Sequence, residues 1–141
     1  MKKILILLLL IGSTNVFAEW TRVFEAASND AATVYVDFGT IKRKKNKVKM
    51  WTLLNYELIQ GIVNQGNPFG EDRSLSYLSS TYYYLYDCEE ETASVIEQTN
   101  YSGQMGSGNV IDNYFPNGFE RKPVAPGSIS EGLLTVACGK K

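Results

Sequence analysis

The chain has 141 residues, with 14 Lys and Arg against 15 Asp and Glu, a formal net charge of −1 and no histidine. One domain fits this length, and a mildly acidic balance argues against a nucleic-acid-binding protein. The absence of histidine removes the usual general base, the usual partner of a catalytic serine or cysteine, and the commonest zinc ligand. We therefore expect a protein that is not an enzyme and that carries no metal or other cofactor.

Residues 1–18 have the layout of a secretory signal peptide. Two lysines precede an unbroken apolar run at residues 4–11, and Val16 and Ala18 place small side chains where a signal peptidase reads. The apolar run is too short to cross a bilayer comfortably. We expect cleavage after Ala18, which would leave an exported domain at residues 19–141 without a membrane anchor. The alternative is an uncleaved anchor.

Strand patterns fill most of the mature chain. Runs rich in β-branched and aromatic residues predict short strands at residues 20–26 and 33–37, and alternating apolar positions predict a longer strand at residues 48–56. Three glycines and a proline within residues 61–73 predict a loop. The next predicted strand, at residues 74–87, contains five of the nine tyrosines of the chain.

Shorter elements follow the tyrosine-rich strand. The glutamates at residues 89–91 predict a turn into a strand at residues 92–102. A glycine-rich segment at residues 103–109 then predicts a turn into a short strand at residues 109–115. This segment lacks the lysine of a phosphate-binding P-loop, and its glycines are in the wrong order for a dinucleotide-binding loop. A hairpin turn is therefore favoured.

The C-terminus changes from strand to helix spacing. The prolines in residues 123–127 argue against regular structure there. Ser128 and Glu131 have the spacing of a capping box, and apolar residues recur at helical period through residues 129–137. Gly139 is a plausible stop signal, so the sequence predicts a short amphipathic helix at the end of the chain.

The chain contains two cysteines, Cys88 and Cys138. In an oxidising compartment such a pair in a small domain is expected to form a disulfide bond, which would tie the end of the tyrosine-rich strand to the helix. A helix of about ten residues is marginal alone, so burial and this bond would hold it in place. The alternative is a free reactive thiol.

A predicted turn at Asn46 is surrounded by positive charge. Such a turn could bind a polyanionic glycan, a lipid headgroup or an acidic patch on a protein. The alternative is a solvated hairpin end whose lysines discourage edge-to-edge pairing of strands. The five residues that we name the basic tip are Lys42, Arg43, Lys44, Lys45 and Lys47.

The tyrosine-rich strand carries aromatic side chains on both of its faces. Alternation places three of its tyrosines on the face shared with Cys88, which the disulfide-bonded helix is expected to cover. The opposite face is expected to stay uncovered and to contact a protein partner or a second copy of the chain, because tyrosine and tryptophan are favoured at interfaces. The alternative is ordinary strand packing. The predicted contact residues are Tyr77, Tyr83 and Trp51.

Short motifs that occur in order along the chain suggest a family. These motifs are Ala18-Glu19-Trp20-Thr21, Tyr35-Val36-Asp37, Thr40-Ile41, Tyr86-Asp87-Cys88, Tyr101-Ser102-Gly103, Met105-Gly106-Ser107-Gly108 and Pro123-Val124-Ala125-Pro126-Gly127-Ser128. Together they resemble the surface-adhesin protein E family of bacterial exported proteins. The resemblance implies an α+β fold, in which a C-terminal helix packs on an antiparallel sheet of about six strands and is tied to it by a disulfide.

The resemblance also implies a function. The adhesin that names this family is a surface lipoprotein that binds host matrix and serum proteins, whereas this sequence has no lipid-acceptor cysteine near the predicted cleavage site. We expect an exported binding protein in the periplasm or on the surface of a Gram-negative bacterium. Its partner would be a host matrix protein, an envelope protein or a polyanionic glycan. The alternative is a periplasmic accessory or inhibitor protein that acts on an envelope enzyme.

Overall fold

The computed structural model describes residues 18–26, 31–62, 75–118 and 120–139. All of the predicted signal peptide except Ala18 therefore lies outside the described residues. The same holds for most of the loop predicted at residues 61–73, whose first two residues belong to a strand.

One antiparallel sheet forms most of the described structure. Six strands follow one another in chain order, each hydrogen-bonded to the next. They are β1 (Trp20–Ala26), β2 (Ala32–Lys44), β3 (Lys47–Ile62), β4 (Leu75–Asp87), β5 (Thr92–Tyr101) and β6 (Val110–Tyr114). The described residues contain one α-helix, α1 (Ile129–Cys138), which follows the strands in the chain. The predicted fold class is confirmed.

A two-residue strand, β7 (Lys122–Pro123), also pairs with β5, on which Pro123 lies opposite Thr92. The prediction that Pro123 lies outside regular structure was therefore wrong. Proline has no amide to donate to a ladder, and an edge strand tolerates it because its outer side needs no partner.

Two strands are longer than the sequence predicted, because bulges interrupt their patterns without ending them. The pairing of β2 with β3 shifts register between Asp37 and Lys42, after which β2 continues to the basic tip. The pairing of β3 with β4 shifts again between Asn55 and Gln60. An extra residue at a bulge breaks the period of two while the strand goes on.

The main core lies between the sheet and α1, on the side that we name the helix face. Val34, Met50 and Tyr86 project from three neighbouring strands and are fully buried there, and Leu133 meets them from the helix. Burying a side chain of this kind contributes about 1.5–3 kcal/mol relative to leaving it exposed. The opposite side of the sheet is named the open face.

Capping at both ends fixes the limits of α1. The hydroxyl of Ser128 accepts a hydrogen bond from the Glu131 amide at 3.2 Å, and Gly139 ends the helix with a φ of 66°. The Glu131 carboxylate reaches back to the Gly127 amide at 2.7 Å. Gly132 lets the helix approach β1 closely, because a Cβ there would lie 2.6 Å from the ring of Phe24.

A disulfide joins Cys88 to Cys138, with their Cα atoms 5.7 Å apart and a sequence separation of 50. The predicted bond is confirmed, and the free-thiol alternative is excluded. In the chain-entropy model, closing a loop of this length stabilises the fold by about 4 kcal/mol. The bond holds the end of α1 on the helix face.

Candidate functional site

A row of directly paired residues crosses the open face from β1 to β5. Trp20 pairs with Asp37, Asp37 with Trp51, Trp51 with Tyr83, and Tyr83 with Glu97. Strands in a sheet lie about 4.8 Å apart, so these five residues span about 19 Å. We name them the acid–aromatic row.

The centre of the row is an aromatic stack. The rings of Trp51 and Tyr83 have centroids 4.8 Å apart and planes 18° apart, and both side chains are partly exposed. A pair of this geometry contributes about 0.5–1.5 kcal/mol beyond the area it buries. The remaining exposed ring surface is available for contact with another molecule.

A shallow pocket of about 290 Å³ opens beside the stack. The row supplies two tryptophans and two carboxylates to its wall, and the remaining wall is small, hydroxyl-bearing or aromatic. Its lining residues are Ala18, Trp20, Asp37, Thr40, Trp51, Thr81, Glu97, Thr99 and Tyr101. None of these described residues has a basic side chain. Cleavage after Ala18 would remove that lining residue and bring the α-amino group of Glu19 beside the pocket, where two carboxylates against one ammonium leave the net charge negative.

The two carboxylates of the pocket differ in exposure. Asp37 is 5% exposed, and its Oδ1 accepts the Gly39 amide at 3.0 Å. No donor among the described residues bonds to its Oδ2. Glu97 is more exposed, and within the described ranges it takes part in no ion pair. Oδ2 of Asp37 keeps contact with solvent, because among the described residues the fully enclosed side-chain atoms without a partner are Thr52 Oγ1 and Tyr86 Oη.

Another part of the open face, around Leu53, Asn55 and Ser79, is covered by a short segment that we name the glycine flap, residues 103–108. It contains a 3-10 turn at Gln104–Gly106 and folds back over the sheet. The Met105 amide donates to Asn55 Oδ1 at 2.7 Å, and the Gly106 amide donates to Ser79 Oγ at 2.9 Å. Leu53 lies beneath the flap and is fully buried.

The flap is more than the hairpin turn that the sequence predicted. It does connect two paired strands, β5 and β6, as expected. Sequence reasoning missed its docking on the sheet, although Asn55 and Ser79 were a usable signal. Each is a polar residue at a position on the open face that would otherwise need a partner.

Two of the three predicted contact residues, Trp51 and Tyr83, lie together on the open face. The predicted position of Tyr77 was wrong, because its ring packs edge-on against Tyr56 at 5.7 Å and belongs to the helix-face core. Tyr77 lies where the pairing of β3 with β4 is irregular: it jumps from Asn55 opposite Ser79 to Gln60 opposite Tyr77, with the extra residues on β3.

The other tyrosines of β4 lie on the helix face, as alternation predicted. The rings of Tyr82 and Tyr84 stack at 5.4 Å, and Tyr86 lies 5.4 Å beyond Tyr84. Burial raises the pKa of all three hydroxyls well above the ordinary value for tyrosine. They therefore remain protonated at physiological pH and cannot act as bases.

The basic tip is less free than its sequence suggested. The Arg43 guanidinium donates to the Ala137 carbonyl at the C-terminal end of α1, where a positive charge interacts favourably with the helix dipole. The Lys47 ammonium lies 3.3 Å from Asp87 Oδ2. Lys42, Lys44 and Lys45 are exposed. Along β3 and β4, the pair formed by Lys47 and Asp87 is four positions away from the pair formed by Trp51 and Tyr83. This separation is about 13 Å.

Asp87 organises the turn that faces the basic tip. Its carboxylate accepts the Glu90 and Glu89 amides, each at 3.2 Å, and the Asn46 side-chain amide at 2.7 Å. The Glu90 amide, followed by Lys47, lowers the pKa of Asp87 below its ordinary 3.8. The tip is thus held against an acidic turn.

The described residues contain no cluster of metal-binding side chains. Within the same ranges, no helix is long and apolar enough to cross a bilayer. What distinguishes the molecule is therefore the open face, where an aromatic stack lies between two carboxylates.

Comparison with known proteins places this fold in a family. The family model for surface-adhesin protein E matches residues 20–139. One solved structure of Haemophilus influenzae protein E is 16% identical, with a TM-score of 0.53 over 89% of this chain and 88% of that chain. Its crystal form II is 15% identical, with a TM-score of 0.55 over 89% and 91%.

A structure of protein E from non-typeable Haemophilus influenzae is 17% identical, with a TM-score of 0.53 over 89% of this chain and 79% of that one. At these identities the likeness shows a shared fold and no more. The comparison with curated proteins found no match.

Proposed function

The chain belongs to the surface-adhesin protein E family, and we propose that it is an exported, non-enzymatic binding protein that engages another protein through its open face. The observation that carries the proposal is the exposed stack of Trp51 on Tyr83. Tryptophan and tyrosine are over-represented among the residues that dominate binding energy at protein interfaces. A sheet face left for packing alone would be expected to bury such rings.

The arrangement of the carboxylates supports a binding role rather than hydrolysis. Asp37 and Glu97 are three strands apart, or about 14 Å at ordinary strand spacing. Glycosidases need their two carboxyl groups within about 5–9.5 Å of each other. The backbone positions of this pair are farther apart than that range, which favours a binding role over hydrolysis of a glycosidic bond.

Export is supported by the signal-peptide pattern of residues 1–18. The solved relatives come from Haemophilus influenzae, a Gram-negative bacterium. We propose a location in the periplasm or on the cell surface of such an organism. Fractionation of the native host, with intact-mass measurement of the protein recovered, tests this directly. A mass that retains residues 1–18 would contradict export by cleavage after Ala18.

The binding role is tested by capture on immobilised extracellular-matrix proteins and on bacterial envelope extract. The double variant Trp51→Ser, Tyr83→Ser should lose capture while keeping its fold by circular dichroism. Tyr114→Ser is the matched control, because Tyr114 is 53% exposed and belongs neither to the row nor to the lining of its pocket. Equal capture by the double variant and the wild type would contradict a role for the open face.

The same experiment separates the two classes of partner. Capture on matrix proteins, together with surface exposure in the native host, supports an adhesin. Capture from envelope extract alone, with retention in the periplasm, supports an accessory or inhibitor protein instead. A protein that captures nothing from either source would contradict the proposed function.

A further inference from the structure

We propose that the acid–aromatic row binds a basic, extended segment of a partner protein, with lysine or arginine side chains directed at Asp37 and Glu97. This inference rests on the proposed function and names the chemistry of the partner. It makes the open face, and not the basic tip, the main electrostatic contact. The partner is then recognised by positive charge and not by acidic or sulfated groups.

Charge is the first argument. The pocket beside the row contains two carboxylates, and no basic side chain lies among its described lining residues. Cleavage after Ala18 would place the α-amino group of Glu19 beside the pocket, and the two carboxylates outnumber that single positive charge. Asp37 is almost wholly buried, and Oδ2 has no donor within the described residues, whereas Oδ1 is occupied by the Gly39 amide. A cationic side chain entering the pocket would complete the bonding of that carboxylate. An anion would meet repulsion from both acids.

The aromatic stack is the second argument. A lysine or arginine side chain carries an apolar stem and a charged head, and the stem covers apolar surface while the head seeks a polar partner. Trp51 and Tyr83 lie between the two carboxylates in the row, so a stem that lies across them brings its head toward one acid. A cation within about 6 Å of such rings gains further attraction from their faces.

The spacing of the acids is the third argument, and it specifies the ligand further. Their backbone positions lie three strands, or about 14 Å, apart, whereas an extended chain advances about 3.3 Å per residue. Two side chains separated by about four residues on an extended peptide lie about 13 Å apart and point the same way. The face therefore fits a segment that crosses the strands and carries two basic residues at that separation.

The chain provides its own probe for this site. It contains two tryptophans, Trp20 and Trp51, and both line the pocket. A ligand that enters the pocket should therefore change the intrinsic fluorescence. The titrant is an end-blocked peptide of alternating serine and alanine with lysines about four residues apart. The matched titrant has glutamate in place of lysine.

We expect saturable binding of the lysine peptide that weakens as salt is raised, and no binding of the glutamate peptide. Asp37→Asn should weaken binding by about thirty-fold or more, because it removes the buried member of a charge pair. Glu97→Gln should weaken it by only about two- to five-fold, as for a more exposed pair. Glu90→Gln makes the same charge change outside the row and should bind like the wild type.

Four outcomes would overturn the inference. The first is the absence of a fluorescence change with the lysine peptide, and the second is equal binding of the two peptides. The third is unchanged affinity in both Asp37→Asn and Glu97→Gln. Because Asp37→Asn alters a carboxylate that also holds the Gly39 amide, its fold must be checked by circular dichroism, and Glu97→Gln keeps the inference testable if that variant unfolds. Spermidine binding as tightly as the lysine peptide would show a site for small cations and would overturn the peptide as ligand.

Failure here and failure of the proposed function can be told apart. If matrix or envelope proteins are captured while Glu97→Gln and the lysine peptide have no effect, the open face binds by another chemistry and the proposed function stands. If the lysine peptide binds but no protein is captured, the proposed function fails although the site exists.

Discussion

The two faces of the sheet are built from the same strands by different means. On the helix face, apolar side chains from β2, β3 and β4 pack under α1, and a disulfide fastens the end of that helix. On the open face, the glycine flap is held largely by hydrogen bonds, and the acid–aromatic row beside it keeps its stack and Glu97 partly exposed. The helix and the disulfide thus stabilise one face, and the other carries partly exposed aromatic and acidic groups.

The strongest test of this division is removal of the disulfide. The double variant Cys88→Ser, Cys138→Ser should lower the free energy of unfolding by about 2–5 kcal/mol, because the unfolded chain regains the entropy of a 50-residue loop. Denaturant unfolding measures this value. Reduction of the wild-type protein should give the same midpoint as the variant. A loss below about 1 kcal/mol would mean that α1 is held by its packing alone.

The second test weakens the open face. Ser79 is fully buried; its hydroxyl donates to the Gly103 carbonyl at 2.6 Å and accepts the Gly106 amide at 2.9 Å. Ser79→Ala leaves both backbone groups without this partner and should lower the free energy of unfolding by about 1–3 kcal/mol. Hydrogen exchange should quicken at the amides of the glycine flap while those of α1 keep their protection.

Ser76→Ala, an exposed change on the same strand, is the control and should have an effect within about 0.5 kcal/mol. Equal stability of the two variants would indicate that the flap is held in another way. Uniform loss of protection across flap and helix would show that the two faces unfold as one unit.

The two faces also differ in how much the sequence alone could predict. The helix face follows from local patterns: alternation placed Tyr82, Tyr84 and Tyr86 on it, and the Ser128 cap with the Gly139 stop fixed the helix. The open face depends on contacts between segments far apart in sequence. Met105 meets Asn55 across 50 residues, and no local pattern announces such a contact.

Bulges account for the remaining errors. To predict the row, one would have to know the register of four neighbouring strand pairs, which the sequence does not specify. Pairing of β3 with β4 becomes irregular between Asn55 and Gln60, and Tyr77 beyond that point packs against Tyr56 instead of lying on the predicted side. Trp51 and Tyr83, where the pairing is regular, lie on the face that alternation predicted, and their role in binding stays a prediction. The two acids of the row were not predicted at all.

The stability contributed by the turn around Asp87, next to the disulfide-bonded Cys88, should depend on pH in the acid range. The pKa of Asp87 is lowered in the folded protein, chiefly by the Glu90 amide and also by Lys47, so its ionised form is favoured by folding. The resulting stability is present above the ordinary pKa of 3.8 and is lost as the pH falls through the lower, folded-state pKa.

Asp87→Asn should therefore be less stable than the wild type at neutral pH, and its stability should fall less steeply below about pH 4. Unfolding by denaturant at a series of pH values measures both effects. Asp112→Asn, an exposed carboxylate on β6, is the matched control. Parallel pH profiles for the wild type and Asp87→Asn would show that Asp87 contributes no acid sensitivity.

The smallest expected effect on stability concerns the basic tip, whose residues divide between structure and surface. Replacing the exposed Lys42, Lys44 and Lys45 with glutamine should leave the melting temperature unchanged but reduce retention on a heparin column, which for exposed charges is weak and salt-sensitive. Arg43→Gln should lower stability by about 0.3–1 kcal/mol, because Arg43 bonds to the C-terminal end of α1. Unchanged elution of the triple variant would show that the tip does not bind heparin and is a solvated hairpin end. A lower melting temperature in the triple variant would instead show that all of the tip, and not Arg43 alone, supports the helix face.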